Sequence, residues 1–88
     1  NEVERVLATH PAVAEVAVYG VPDPVKGEIV KAKILLKSGQ LLLAEDAIAF
    51  CSERIAAYKV PCLVQFVDSL PKNATGKVLK RVLREANS

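Results

Sequence analysis

The sequence predicts an α+β domain: a small, mainly antiparallel sheet of about three strands packed with helices. Three observations support this. Two consecutive segments alternate in polarity on either side of a turn-rich VPDPVKG. Three other segments repeat their apolar residues at helical spacing, and a short apolar run follows Pro61. A chain of 88 residues is one domain at most. It buries about 60–65% of the surface its unfolded form exposes, enough for a modest core.

The opening NEVERVLATHP places Val3, Val6 and Leu7 on one face at helical spacing, and Pro11 ends the segment. His10, before that proline, suits a cap or packing role, since no acid–base partner for it is identifiable. AEVAVYG then alternates, with Ala14, Val16 and Val18 facing one way and Glu15, Ala17 and Tyr19 the other. Asp23, Gly27 and Glu28 shape the turn that follows, and Gly20 reads as punctuation. EIVKAKILLK sets Val30, Ala32, Ile34 and Leu36 against Lys31, Lys33, Leu35 and Lys37. This fits a strand with one buried and one largely lysine face, antiparallel to its predecessor.

LLLAEDAIAFCSERIAAYK carries a stripe of Ala44, Ala47, Ile48, Cys51, Ile55 and Tyr58, with Glu45 and Asp46 suited to a first helical turn. Leu41, Leu42 and Leu43 offer no capping side chain, so the start of this helix is not fixed by sequence. Pro61 forces the chain out of helix, and CLVQFVD reads as a third strand. A last helix carries Val78, Leu79, Val82, Leu83 and Ala86 on one side, with Lys77, Lys80, Arg81 and Arg84 mostly opposite.

Composition narrows the function. With 51% hydrophobic and 25% charged residues, the chain is globular rather than disordered. No apolar run approaches the roughly 18 residues of a membrane span, and no cleavable leader is visible. Cys51 and Cys62 are too few for a disulfide framework and lack metal-ligand spacing. Their apolar neighbours predict buried, reduced thiols and a cytoplasmic setting, and no metal site. The chain contains no methionine and begins inside an apolar pattern, which predicts a piece of something longer.

LPKNATGKVLKRVLR puts Gly76 and Lys77 in a polar turn before a basic, apolar-striped segment. A nucleotide P-loop would need glycine at position 71 and Ser or Thr at position 78. Pro71 and Val78 stand there. Nucleic-acid binding by the basic helix face fares no better: the net charge is only +2 and 5% of the chain is aromatic, with no base-stacking platform. A stand-alone module that holds an acidic partner on this face is the alternative outside enzymology.

PKNATGKVLKR resembles the last core motif of the adenylate-forming enzymes: acyl-CoA synthetases, peptide-synthetase adenylation domains and luciferases. NEVERVLATHPAVAEVAVYGVPDPVKGEIVKAKILL resembles the beginning of their small C-terminal domain, and AAYKVPCLVQFVDSLPKNATGK its end, so the resemblance covers essentially residues 1–88 as one mobile cap domain. It implies ATP-dependent joining of a carboxylate to AMP, then passage of the acyl group to a thiol. It implies that Lys77 is the catalytic lysine, binding ATP and acyl-AMP, with Gly76 permitting close approach and Thr75 where the family has serine or threonine. It further implies that ATP, coenzyme A and a carboxylic acid are substrates. The resemblance also implies that Mg²⁺ serves the full-length enzyme without binding this domain, and that the partner is a missing N-terminal domain.

Gly-Lys-Val-Leu-Lys-Arg departs from the Gly-Lys-Val-Asp-Arg of peptide-synthetase domains, and YKVP departs from their tyrosine–methionine before the proline. Both departures favour the acyl-CoA synthetase branch over carrier-protein loading, which stays as the alternative. In that branch PVKGE resembles a coenzyme-binding turn, which places Lys26 at the nucleotide end of CoA. Val60, Pro61 and Cys62 fall where relatives line the coenzyme path, although many relatives carry arginine where this chain has Cys62. The isolated piece is expected to fold without ligase activity.

Overall fold

The structure, a computed structural model, describes residues 2–86. Its elements in chain order are α1 (Glu2–Ala8), β1 (Val13–Asp23), β2 (Gly27–Leu36), α2 (Ala44–Ser52), a 3-10 turn (Ala57–Lys59), β3 (Leu63–Phe66) and α3 (Lys80–Ala86). The strand order is β1-β2-β3. β1 and β2 pair antiparallel from Asp23↔Gly27 to Val13↔Leu36, and β3 adds parallel to β2 from Lys31↔Leu63 to Ile34↔Phe66. The parallel step needs a crossover longer than a hairpin turn, and α2 with the 3-10 turn supplies it. The predicted α+β class holds.

Helices cover both faces. On one, Val3 and Leu7 of α1 and Ala47 and Cys51 of α2 pack on Val13, Val18, Ala32 and Ile34. On the other, Leu83 of α3 and Leu70 pack on Ala17, Tyr19 and Val21, with Ile29 and Val78 beside them. β1 therefore buries both sides, Val13, Val16 and Val18 on one and Ala17 and Tyr19 on the other. Each fully buried Leu or Ile side chain contributes about 1.5–3 kcal/mol to this core.

Several local readings need correction. The register shifts between Val13 and Glu15, so a bulge replaces strict alternation. Val13 is buried with Val16 and Val18 packed on the same cluster, while Ala14 is exposed. Gly20 lies inside β1 rather than in a turn, and a Cβ there would clash with the Glu28 carboxyl.

α2 stops at Ser52, well short of Tyr58. Ser52 Oγ donates to the Ala49 carbonyl at 2.9 Å and Arg54 Nη1 to the Phe50 carbonyl at 3.0 Å, so side chains satisfy the final turn. Ile55 still packs on the core, but Tyr58 is 81% exposed. The helix begins at Ala44 without a side-chain cap.

α3 begins at Lys80, which leaves Lys77 three residues outside it. Val78 and Leu83 face the core, Val82 is partly exposed, and the side chain of Ala86 lies outside the described residues. Cys51 is buried as expected, but Cys62 is exposed, because it enters β3 at the edge of the sheet. Where β2 was expected to show a lysine face, Lys31 and Lys33 are half-buried beside the second core.

His10 fulfils its packing role. Its Nδ1 accepts from the Ala12 amide at 3.0 Å, and its ring meets Phe50 edge-on at 4.9 Å.

Candidate functional site

Lys77 sits in a loop closed at its neck by an antiparallel bridge between Lys72 and Val78. Asn73 organises the interior. Its backbone N–H donates to the Lys77 carbonyl at 2.9 Å, and its Oδ1 accepts from the Lys77 amide at 2.9 Å. The same Oδ1 accepts from the Thr75 amide at 3.0 Å and the Thr75 hydroxyl at 2.7 Å, while the Asn73 carbonyl accepts from the Gly76 amide at 3.0 Å. Gly76 takes φ +87°, a left-handed value that a side chain disfavours, and it turns the chain back so that these bonds can close. Both backbone polar groups of Lys77 thus end on Asn73.

The two flanking lysines are tied down. Lys72 Nζ lies 2.6 Å from Glu15 Oε1 on β1, and Lys80 Nζ lies 2.7 Å from Glu4 Oε2 on α1. Glu4 Oε2 also accepts from the Val18 amide at 2.8 Å and so fastens α1, β1 and α3 together. Lys77 is exposed and belongs to none of the ion pairs among the described residues. Beside it a hollow of about 630 Å³ is lined by Asn73, Lys77, Val78, Leu79, Lys80 and Arg81. That lining carries three cations and no carboxylate, a surface that favours an anion.

Lys26 lies exposed at the tip of the β1–β2 hairpin. Asp23 Oδ2 accepts from the Val25 amide at 3.1 Å and the Lys26 amide at 2.7 Å, and Gly27 takes φ +85°. The turn roles expected of Asp23 and Gly27 hold. Val60 packs on the first core, Pro61 is buried and Cys62 is exposed, so only the last of these three presents its side chain. The Cys62 amide donates to the Val30 carbonyl at 2.9 Å, which places it on the same end of β2 as the hairpin.

Lys59, just before Val60, pairs with Glu2 at 2.8 Å. The hydrogen bond and charge of Lys59 hold the Glu2 carboxyl below its ordinary range, and Glu2 in turn raises Lys59. Burial pushes the Cys51 thiol up, against the nearby Arg54 charge, and keeps it protonated and inert.

A cleft of about 490 Å³ opens over Gly20 and Val30, walled by Glu28, Tyr58 and Lys59 and, on α3, by Lys80 and Arg84. None of Lys26, Val60, Pro61 and Cys62 lines it. Lys26 and Cys62 lie toward the hairpin end of β2, and the Lys72–Glu15 pair anchors the Lys77 loop toward the other end of β1. Glu15, which anchors that loop, is eight ladder positions from Asp23, roughly 26 Å at the rise of a strand.

Asn73, Glu4 and Glu15 went unseen in the sequence. The Asn at the head of an Asn-Ala-Thr-Gly turn was the available signal for the first, since asparagine side chains bond backbone amides two residues on. The two glutamates carry no such signal, because their partners are distant in sequence.

Comparison with known proteins matches residues 2–77 to the AMP-binding enzyme C-terminal domain. A CoA ligase of Rhodococcus jostii (strain RHA1), named for a 7a-methyl-1,5-dioxo-octahydro-1H-inden-4-yl propanoyl group, is 55% identical over 84 residues, which are 96% of this chain and 16% of the ligase. The solved fatty acyl CoA synthetase of Mycobacterium tuberculosis superposes with a TM-score of 0.92 at 41% identity, covering 99% of this chain and 17% of that one. The amide bond synthetase McbA of Marinactinospora thermotolerans gives 0.91 at 37% identity, over 98% of this chain and 17% of its own. The chain spans about one-sixth of the length of such relatives. With the family model matched across most of its length, the chain belongs to the family of AMP-binding enzyme C-terminal domains.

Proposed function

We propose that residues 1–88 act as the mobile C-terminal cap of an acid–CoA ligase, with Lys77 supplying the charge for acyl-AMP formation. The observation that carries this reading is the exposed Lys77 on its Asn73-organised loop, the one lysine of the loop region 72–80 with no carboxylate partner among the described residues.

In the first step a carboxylate attacks the α-phosphate of ATP and pyrophosphate leaves. Two anions must meet. One ammonium within about 4 Å, at an effective dielectric near 20, offsets roughly 4 kcal/mol of their repulsion. Charge placed at the developing oxyanion is where enzymes gain most. Lysine suits the task, a compact charge on a long stem that reaches out of its own domain.

The acyl group then passes from AMP to the CoA thiol. Lys26 serves the phosphate-bearing end of CoA, and Val60, Pro61 and Cys62 border its path, the first two as packed walls. CoA is favoured as acceptor by the names of the Rhodococcus and Mycobacterium relatives. McbA, an amide bond synthetase by name, marks where the acceptor must be tested directly. ATP, the acid, Mg²⁺ and the acyl pocket belong to an N-terminal domain, so the 88-residue chain alone has no ligase activity in this reading. The reaction takes place in the cytoplasm.

The test separates the two half-reactions in the enzyme that carries this domain. Lys77→Ala lowers acid-dependent ATP–pyrophosphate exchange by about a hundredfold or more, on the scale of removing an oxyanion donor. It leaves transfer from pre-made acyl-AMP to CoA largely intact. Equal loss in both half-reactions would overturn the role given to Lys77.

A further inference from the structure

We infer that Asn73 is a positioning residue for Lys77, a proposal that rests on the adenylation role given to Lys77 above. Its warrant is a double grip. The Asn73 amide holds the Lys77 carbonyl, and the Asn73 side-chain oxygen holds the Lys77 amide, both at 2.9 Å. The peptide from which the ammonium swings is thereby fixed, and the remaining freedom is that of the side chain. Thr75 completes the arrangement, with its hydroxyl and amide on the same Asn73 oxygen.

This grip is needed because little else holds the loop. Residues 73–77 are all exposed, and the neck is a single bridge made of two hydrogen bonds, Asn73 N–H to the Lys77 carbonyl and Leu79 N–H to the Pro71 carbonyl at 2.8 Å. The ion pairs Lys72–Glu15 and Lys80–Glu4 fix where the loop leaves the sheet and where it enters α3, not how it is shaped between them. An exposed loop with no packed side chains keeps one conformation only through internal hydrogen bonds. A neutral amide is the right acceptor for this purpose: it takes several N–H and O–H donors without offering Lys77 a counter-charge.

The first variant, Asn73→Ala, removes the Oδ1 acceptor and leaves Lys77 in place. In the enzyme carrying this domain, kcat of the ATP–pyrophosphate exchange falls about ten- to a hundredfold, the scale of a reacting group misplaced by an ångström. KM for ATP stays near its starting value, and transfer from pre-made acyl-AMP is unchanged. Asn73→Ser, whose hydroxyl bonds the same backbone groups more weakly, recovers part of the loss and covers the case in which the alanine variant folds poorly.

The outcomes separate. If Lys77→Ala abolishes exchange while Asn73→Ala and Asn73→Ser match the unaltered enzyme, the positioning role is wrong and the catalytic reading stands. If Lys77→Ala itself is harmless, the catalytic reading falls first. If Asn73→Ala depresses both half-reactions equally, Asn73 is merely structural, and the proposal is overturned.

Discussion

Two lysine-bearing loops of this domain follow one plan and differ in three particulars. In each, an Asp or Asn opens the loop and its side-chain oxygen gathers backbone amides: Asp23 those of Val25 and Lys26, Asn73 those of Thr75 and Lys77. In each, a glycine at positive φ closes the turn, Gly27 at +85° and Gly76 at +87°. The first difference is order, since Lys26 precedes its glycine and Lys77 follows its own. The second is the opening residue, a carboxylate in one loop and a neutral amide in the other. The third is support. The hairpin loop caps a long antiparallel ladder, and the Lys77 loop hangs from one bridge. A lysine whose backbone amide is fixed by a carboxylate at the end of a long ladder suits a fixed contact. An uncompensated cation on a lightly supported loop suits charge delivery to a site in another domain.

The comparison breaks most visibly if the two lysines prove interchangeable. Lys26→Ala is expected to leave ATP–pyrophosphate exchange unaltered and to lower transfer to CoA about tenfold, seen as a raised KM for CoA. One charge-assisted contact of about 1.5–3 kcal/mol sets that scale. The effect weakens as salt rises, because an exposed lysine is screened within a Debye length. A Lys26→Ala enzyme slowed in the first half-reaction would collapse the division of labour between the loops.

Swapping the opening residues sharpens the second difference. Asn73→Asp keeps the acceptor oxygen and adds a negative charge beside Lys77. At contact distance in water such a pair is worth on the order of 1 kcal/mol, so adenylation falls about fivefold while the loop keeps its shape. Asp23→Asn removes the corresponding charge at Lys26 and is expected to change CoA transfer little. Equal rates for Asn73→Asp and the unaltered enzyme, measured at low salt, would show that neutrality at position 73 is incidental.

The two loops were also unequally legible in sequence. The hairpin could be read from two period-two segments around a run of turn formers, because strand alternation and turn chemistry are both local. The Lys77 loop announced a lysine and a glycine, but its neighbours Val78 and Leu79 imitated the first turn of a helix. That helix waits until Lys80, once the bridge to Lys72 has used Val78. The same local logic ran α2 on to Tyr58, since nothing in SERIAAY breaks a helix. It ends where the Arg54 amide shifts to the Cys51 carbonyl and the Arg54 side chain takes the Phe50 carbonyl instead. The burial of the second face of β1 depends on α3 packing behind the sheet, a contact between segments more than sixty residues apart. The exposure of Cys62 likewise depends on β3 being an edge strand, which an apolar pattern cannot reveal.

The smallest expected effect addresses support. Neither Gly27 nor Gly76 has an atom within 4 Å of where a Cβ would stand, so Gly27→Ala and Gly76→Ala differ only in what the backbone carries. A side chain in the left-handed region costs about 1–2 kcal/mol at either site. At Gly27 that cost falls on the turn that sets the register of the β1–β2 ladder, so Tm drops by about 4–8 °C for each kcal/mol. At Gly76 the loop can open alone and escape the strain, because local unfolding there leaves both cores intact. Gly76→Ala should therefore leave Tm nearly unmoved and appear instead as faster amide exchange at Lys77. Equal drops in Tm would mean that the Lys77 loop is as integral to the fold as the hairpin, against the lighter support read from its single bridge.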